Sequence, residues 1–321
     1  MSKKKKIVLH GLNRDYIFYP YSTKSFIRKA SKFSKVYKGE TSEGNTVVIK
    51  LLPSELAKIP ENIETFKNEI NWCGMHQNLL APYEYLYQDE KHYLISDFVK
   101  NINIGYYIRY RWKFLQKRIK LAIECGLQLL DAVEIMHNKG YIHTDIKPAN
   151  VLFASNKLKI PNYKNPHFYL IDFGMARKAG QKPSYVSKNS KRQFVLSYSP
   201  PEMVLGFYDL TSFHSDLYNI AFIIYEMITK EPVYKSEMSV KVINLQTSYP
   251  LPEKKIIPND LMRILSKAAN KYHFKKPPAY YSQAEVYEKT KYAILQRYQT
   301  AAEFKKDLIE FKNKYFKNQI K

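Results

Sequence analysis

Asp145 and Asn150 stand five positions apart, and a second carboxylate, Asp172, follows 22 residues after the amide. These residue types in this order suit one chemistry. A carboxylate at 145 can take a proton from an attacking hydroxyl. The amide at 150 and the carboxylate at 172 offer hard oxygens of the kind Mg²⁺ prefers. Together they form the polar skeleton expected of a phosphoryl-transfer site that uses ATP and Mg²⁺.

Such a skeleton needs elements to hold it. Residues 26–52 read as strands. Ser34-Lys35-Val36-Tyr37-Lys38-Gly39 alternates, Thr41 to Asn45 carries turn chemistry, and Thr46-Val47-Val48-Ile49-Lys50 is a β-branched run, so the pair reads as a hairpin. A helical segment is predicted from Pro60 through Met75, and two further strands over Tyr83 to Tyr87 and His92 to Val99. From Arg118 to Asn138 apolar residues such as Ile119, Ile123, Leu127, Leu130 and Val133 recur at helical spacing. The pattern after residue 205 is helical almost to the end. Strands first and helices later predict an α+β chain with a small β-rich part and a larger helical one. Residues 1–24 carry no clear pattern, and Lys271 to Lys291, rich in Lys, Tyr and Pro, reads as an insertion between helices.

Composition narrows the setting. The 321 residues allow one large two-lobed domain or two small ones, and 45 % hydrophobic residues allow a sizeable core. Two cysteines, Cys73 and Cys125, suggest no disulfide framework and fit a reducing cytosol. The longest apolar stretch, Leu217 to Ile228, is interrupted by Tyr218, Asn219 and Glu226 and reads as a core helix. The N-terminus lacks the apolar run of a secretory signal. The formal net charge is +23, from 52 Lys and Arg against 29 acids. Such a field attracts acidic partners. The lysines are nevertheless spread along the chain, which reads as a solvated basic surface, and no specific nucleic-acid or membrane partner is indicated.

The run His143-Thr144-Asp145-Ile146-Lys147-Pro148-Ala149-Asn150, followed by Asp172-Phe173-Gly174, closely resembles the H-R-D-L-x-x-x-N and D-F-G signatures of protein kinases. The resemblance implies a two-lobed protein-kinase-like α+β fold, with a small β-rich N-lobe and a larger helical C-lobe. The domains would be a basic N-terminal extension over 1–25, an N-lobe and hinge over 26–100, and a C-lobe over 101–321. It further implies that Asp145 is the catalytic base, that Asn150 and Asp172 hold Mg²⁺, and that Lys50 holds the ATP phosphates and pairs with a helix glutamate. Glu69 is the best match for that partner and Glu64 the runner-up. Lys147 gives the loop the Asp-x-Lys-Pro-x-Asn form of serine/threonine kinases and would offset charge on the transferred group, whereas His143 reads as a packing residue. Nucleotide contacts are implied for Lys29, Ser31, Ser34, Val36, Val48, Ser96, Asp97, Val99 and Leu152, with Ser96 a small residue before the connector. Downstream, Pro200-Pro201-Glu202 resembles the end of an activation segment. Asp216 resembles the helix aspartate that braces the catalytic loop, and Arg297 the arginine that pairs with the segment's glutamate.

Three departures stand out. Lys29, Ser31 and Ser34 occupy the positions where the family's nucleotide loop has glycines, which let backbone approach phosphates closely. Lys29, Lys32 and Lys35 bring charge to the same loop, so side chains in place of backbone could hold phosphate. Thr144 replaces the arginine that would grip a phosphorylated activation loop, although Ser184, Ser187, Ser190 and Ser197 lie among cations in that segment. Val195 sits where the family usually has a threonine.

The leading expectation is a cytoplasmic serine/threonine protein kinase, an enzyme acting on a protein substrate with a Ser or Thr hydroxyl, acidic proteins being one class its charge favours. The runner-up is a pseudokinase serving as a nucleotide-binding or scaffolding module, which the absent glycines favour. A small-molecule kinase is a third reading, opposed by Pro200-Pro201-Glu202, Asp216 and Arg297.

Overall fold

Hydrophobic alternation and β-branched runs build the first half of the chain into a sheet. In the computed structural model the described residues are 6–22, 26–31, 34–110, 114–157, 160–161, 163–183, 197–235 and 238–317, with backbone alone for 26–31, 110, 156–157, 160–161 and 239. The chain divides into two compact units, a smaller one of Met1–Lys100 with Ile171–Gly174, and a larger one of Asn101–Leu170 with Met175–Lys321.

In the small unit, β1 (Ile7–His10), β2 (Asp15–Phe18), β3 (Phe26–Ser31), β4 (Ser34–Thr41), β5 (Thr46–Leu51), β6 (Glu84–Gln88) and β7 (Lys91–Asp97) form one sheet. Its order is β1-β2-β4-β5-β7-β6, with β3 pairing along β4, and every pairing is antiparallel. The β4–β5 turn closes through the Gly44 N–H on the Thr41 carbonyl, and Gly44 takes a φ of 85° that its lack of Cβ permits. The β6–β7 hairpin turns on Asp89 and Glu90, both at positive φ, as a two-residue loop matching strand twist requires.

Residues 7–18, which show no clear pattern in the sequence and fall within the expected basic extension, are thus two strands of this sheet. The terminal strands of the sheet path, β1 and β6, also meet through side chains. The Gln88 amide accepts from the His10 N–H at 2.9 Å and donates to the Val8 carbonyl at 2.8 Å. Glu84 accepts from the Leu12 N–H at 2.7 Å and from the Tyr16 hydroxyl.

One sheet face buries Leu9, Tyr16, Phe18, Tyr37, Val47, Ile49, Tyr93 and Ile95 in a common core. The other packs Leu52 and Leu94 against Phe66 of α2 (Pro60–Asn68), which follows the short α1 (Ser54–Ala57). α2 starts with proline at its first turn, where the missing N–H costs nothing. It ends earlier than the expected boundary at Met75, tightening into a 3-10 turn over Glu69–Trp72.

The large unit comprises β8 (Asn101–Asn103), α3 (Ile104–Tyr110), α4 (Leu115–Asn138), β9 (Tyr141–Ile142), β10 (Val151–Lys157), β11 (Ile160–Pro161), β12 (Phe168–Leu170), β13 (Arg177–Lys178), α5 (Pro201–Leu205), α6 (Phe213–Thr229), α7 (Ser239–Ser248), α8 (Asn259–Ala268), α9 (Gln283–Leu295) and α10 (Ala301–Lys317). α6 is its central helix. Every residue from His214 to Ile228 is buried, as an all-round apolar helix must be. α4 lies close against it, since a Cβ at Gly126 would come 2.5 Å from Ile224 Cδ1. The stretch read as an insertion between helices packs Phe274 and Val286 with Phe207, and most of α9 falls within it.

Candidate active site

β5 and the 3-10 turn after α2 bring Lys50 and Glu69 together in the small unit. Lys50 Nζ donates to both Glu69 oxygens, at 2.7 and 2.9 Å, and to Asp172 Oδ1 at 2.8 Å. Glu64, the alternative partner, is exposed on α2. Asp172 adopts a φ of 70°, and at Gly174 an added Cβ would stand 3.0 Å from Glu69 Oε1. A side chain at 174 would therefore crowd the Glu69 carboxylate. Phe173 is buried with its ring 6.3 Å from that of Trp72.

The electrostatics of this trio follow from burial. Desolvation works to lower the Lys50 pKa, but Asp172 and Glu69 outweigh it and raise it above the ordinary lysine value. Glu69 is pushed up to about 7, chiefly by burial, with Asp172 adding and Lys50 opposing.

In the large unit, Lys147 Nζ donates to both oxygens of Asp145 at 2.7 Å. Asn150 Nδ2 donates to the Asp145 carbonyl at 2.9 Å and to its Oδ2 at 2.8 Å. The loop backbone is fixed from α6. Asp216 Oδ2 accepts from the His143 N–H at 2.8 Å and from His137 Nε2 at 3.0 Å, and its Oδ1 accepts from the Thr144 N–H at 2.9 Å. Burial pushes the Asp216 pKa up, but the hydrogen bond and charge of His137, with His143, bring it below the usual carboxylate value. Thr144 sits at a φ of 66°, uncommon for a β-branched residue. Its hydroxyl donates to the Met175 carbonyl at 2.8 Å, a second anchor for the strained residue.

Asn150 is fully buried, and its Oδ1 has no hydrogen-bond partner among the described residues. A buried amide oxygen left without a donor suits a hard cation. Among the described residues no three His, Cys, Asp or Glu side chains gather as metal ligands, and the expected donor pair, one amide and one carboxylate, is a different set.

The strand register explains how separate sequence positions come to share a surface. Val36 pairs with Lys50, Lys50 with Leu94, and Val48 with Ser96, so these side chains lie on the sheet face opposite the Leu9 core. Asp97 ends β7 and Val99 follows it, while Leu152 lies on β10 of the large unit. Lys29 and Ser31 lie on β3, with side chains outside the described set, and Ser31 pairs with the buried Ser34 across 32–33. Lys35 is exposed. Lys32, Ser184, Ser187, Ser190 and Val195 lie outside the described residues.

Further along the large unit, Arg297 pairs with Glu202 in full burial, and Ser215 Oγ donates to Glu202 Oε1 at 2.7 Å. The preceding segment is held by amides. Gln246 Nε2 donates to the Ser197 carbonyl and Asn219 Nδ2 to the Tyr198 carbonyl, while the Tyr198 hydroxyl donates to Glu226 at 2.9 Å. Sequence reasoning missed His137, Gln246, Asn219 and Glu226. A lone polar residue on a helix gives no signal of its own, and only the packing shows what it holds.

A model of the protein kinase domain matches residues 30–290. The chain is 26 % identical over 246 residues to a probable serine/threonine-protein kinase of Clostridium perfringens, covering 74 % of this chain and 33 % of that protein. It is 25 % identical over 278 residues to the serine/threonine-protein kinase PknB of Mycobacterium tuberculosis, covering 83 % of this chain and 39 % of PknB. A probable receptor-like protein kinase of Arabidopsis thaliana is 28 % identical over 231 residues, with 69 % and 27 % covered. The chain thus spans about a third of the length of these relatives. The α+β architecture, the braced loop around Asp145 and a domain match over most of the sequence converge on one conclusion: this chain belongs to the protein kinase family.

Proposed function

We propose that the chain is a serine/threonine protein kinase that moves the γ-phosphoryl group of ATP to a protein hydroxyl. The observation that carries this reading is the Lys50 ammonium held by two carboxylates, the buried Glu69 and the partly exposed Asp172. Phosphoryl transfer asks a protein for positioning and charge more than for covalent chemistry. Lys50, oriented by Glu69, holds phosphate oxygens. Val36, Val48, Ser96, Val99 and Leu152 are the further nucleotide contacts of this reading, with the segment from Asp97 to Lys100 presenting backbone groups to adenine. Asp145 accepts the proton of the attacking hydroxyl, and Lys147, already bonded to it, neutralises charge beside the transferred group. Mg²⁺, when bound, draws off phosphate charge. Asn150 Oδ1 and the Asp172 carboxylate are the oxygens that would hold it.

The domains follow the same reading, with an N-lobe and hinge ending near residue 100 and a C-lobe from 101. The substrates are proteins with a Ser or Thr hydroxyl, acidic ones favoured by the +23 net charge. Among the described residues no helix is long and apolar enough to cross a membrane, and action in the cytoplasm is part of the proposal. One observation favours a second reading, a nucleotide-binding or scaffolding module. The β3–β4 hairpin carries Ser31 and Ser34 in place of glycine.

The test is incubation of the purified protein with γ-labelled ATP and Mg²⁺, beside Asp145→Asn. Label on the wild type alone supports the kinase. Equal labelling, or none with ATP still bound, overturns it in favour of the second reading.

A further inference from the structure

Lys271 is a lysine in an unusual place. It is 8 % exposed, and no carboxylate lies within ion-pair distance among the described residues. Its Nζ donates to the Tyr218 hydroxyl at 2.8 Å, the Tyr234 hydroxyl at 3.0 Å and the Gln246 carbonyl at 3.0 Å. The rings of Tyr234, Tyr218 and Phe222 surround it, with centroids at 4.7, 5.2 and 5.8 Å. An ammonium over aromatic faces is stabilised by their quadrupoles, most strongly when desolvated.

The protons in this cluster are committed. The Tyr218 hydroxyl donates to Gln246 Oε1 at 2.6 Å, and the Tyr234 hydroxyl to the Tyr249 carbonyl at 2.7 Å. Both hydroxyls therefore face Lys271 as acceptors, beside the Gln246 carbonyl at 3.0 Å and the more distant Leu245 carbonyl at 3.5 Å. Gln246, fully buried, is fixed at its carbonyl by Lys271 and at its side-chain oxygen by Tyr218. Its remaining group, Nε2, points at the Ser197 carbonyl. Ser197 opens the stretch that runs to Glu202.

We propose that Lys271 is a positioning residue for protein-substrate binding, acting through Tyr218 and Gln246 to fix the backbone of Ser197 to Ser199. The proposal rests on the kinase reading, in which this stretch leads into the Pro200-Pro201-Glu202 end of the activation segment and lies beside the acceptor peptide. Among the described residues the bonds that link Lys271 to Ser197 run through Tyr218 and Gln246, so the effect is expected on the protein substrate and not on ATP. Burial, with Arg297 nearby, pushes the Lys271 pKa well below the ordinary lysine value, and an apolar side chain of similar length in its place keeps the site packed. Lys271→Met therefore tests position and not bulk. Tyr218→Phe removes the linking hydroxyl while keeping the ring, and Gln246→Leu removes the last link.

The experiment measures KM for dephosphorylated casein and for ATP, together with hydrogen exchange of the Ser197, Tyr198 and Ser199 amides in the full chain. Lys271→Met, Tyr218→Phe and Gln246→Leu are each expected to raise KM for casein about tenfold or more, the scale of a lost charge-assisted contact. KM for ATP stays within about twofold, and exchange of the three amides quickens. The Lys271→Met, Gln246→Leu double variant is expected to be no worse than either single one, since both break one path. Unchanged amide exchange in the variants overturns the proposal. So do equal rises in both KM values, or additive effects in the double variant. If Lys271→Met fails to fold, the other two variants decide. If the wild type shows no transfer to casein, the kinase reading fails separately, and the exchange arm still decides whether Lys271 holds the stretch.

Discussion

Arg297 grips both oxygens of Glu202, Nη1 to Oε1 at 3.0 Å and Nη2 to Oε2 at 3.2 Å, across 95 residues of sequence and with neither side chain reaching solvent. Burial pushes the Glu202 pKa up, but Arg297 and His214 outweigh it and hold it below the usual carboxylate value. Arg297→Ala strands the carboxylate and is expected to cost about 3–5 kcal/mol. Glu202→Ala strands the guanidinium at a similar cost. A double apolar replacement is expected to cost less than the sum. Thermal unfolding of the four proteins checks this, and equal melting temperatures would deny the pair its structural role.

The two aspartates are expected to separate chemistry from binding. Asp145→Asn removes the proposed proton acceptor and is expected to cut turnover by about 10²–10⁴-fold with ATP affinity nearly intact. Asp172→Ala removes both a proposed metal oxygen and a partner of Lys50, and is expected to weaken Mg·ATP binding. Calorimetric titration beside single-turnover kinetics distinguishes them.

Nucleotide affinity is expected to depend on pH through Glu69. With its pKa raised to about 7, the side chain gains a proton as pH falls below neutrality. A neutral carboxyl holds the Lys50 ammonium less firmly than a carboxylate does. KM for ATP should therefore rise as pH drops from about 8 to 6 and level off above 8. Glu69→Gln should be weak throughout and flat over that range, and a wild-type slope that survives in Glu69→Gln would assign the titration elsewhere.

The hairpin without glycines offers a test in the opposite sense. If Lys29, Lys32 or Lys35 holds phosphate, its replacement by Ala should weaken ATP by about ten- to a hundredfold, and adenosine much less. That loss should persist in moderate salt, since a direct contact is screened little. Restoring glycine at Ser31 and Ser34 should then gain nothing. Tighter ATP binding in the glycine variant, with no loss from the lysine changes, would show that backbone and not side chains governs the loop.

The cluster of Asp145, Lys147 and Asn150 was legible in the sequence because the three lie within a few residues of each other, and the structure joins them by hydrogen bonds. The Glu202–Arg297 pair was legible from resemblance alone, since nothing local joins positions 95 residues apart. The β1–β2 hairpin was not. Each strand is four residues long, with Gly11 and Asn13 between them, too short for alternation to declare itself. The 3-10 turn at Glu69 also escaped notice, because its residues continue a helical pattern. Lys271 was misleading in a different way. It opens a Lys-, Tyr- and Pro-rich stretch that reads as an insertion between helices, and its burial depends on Tyr218, Phe222 and Tyr234, which come from elsewhere in the chain.

The Gln88 and Glu84 side chains that join β1 to β6 have a consequence for association. A terminal strand with idle peptide groups is a template for another chain, and proteins commonly guard it with charge or bulges. Here a primary amide imitates a peptide group, satisfying the His10 N–H and the Val8 carbonyl from within the molecule. Strand addition along β1 must first evict Gln88. The hairpin of residues 7–18 is thereby a guard against self-recognition, and a chain trimmed of it would meet its own copies with an open ladder.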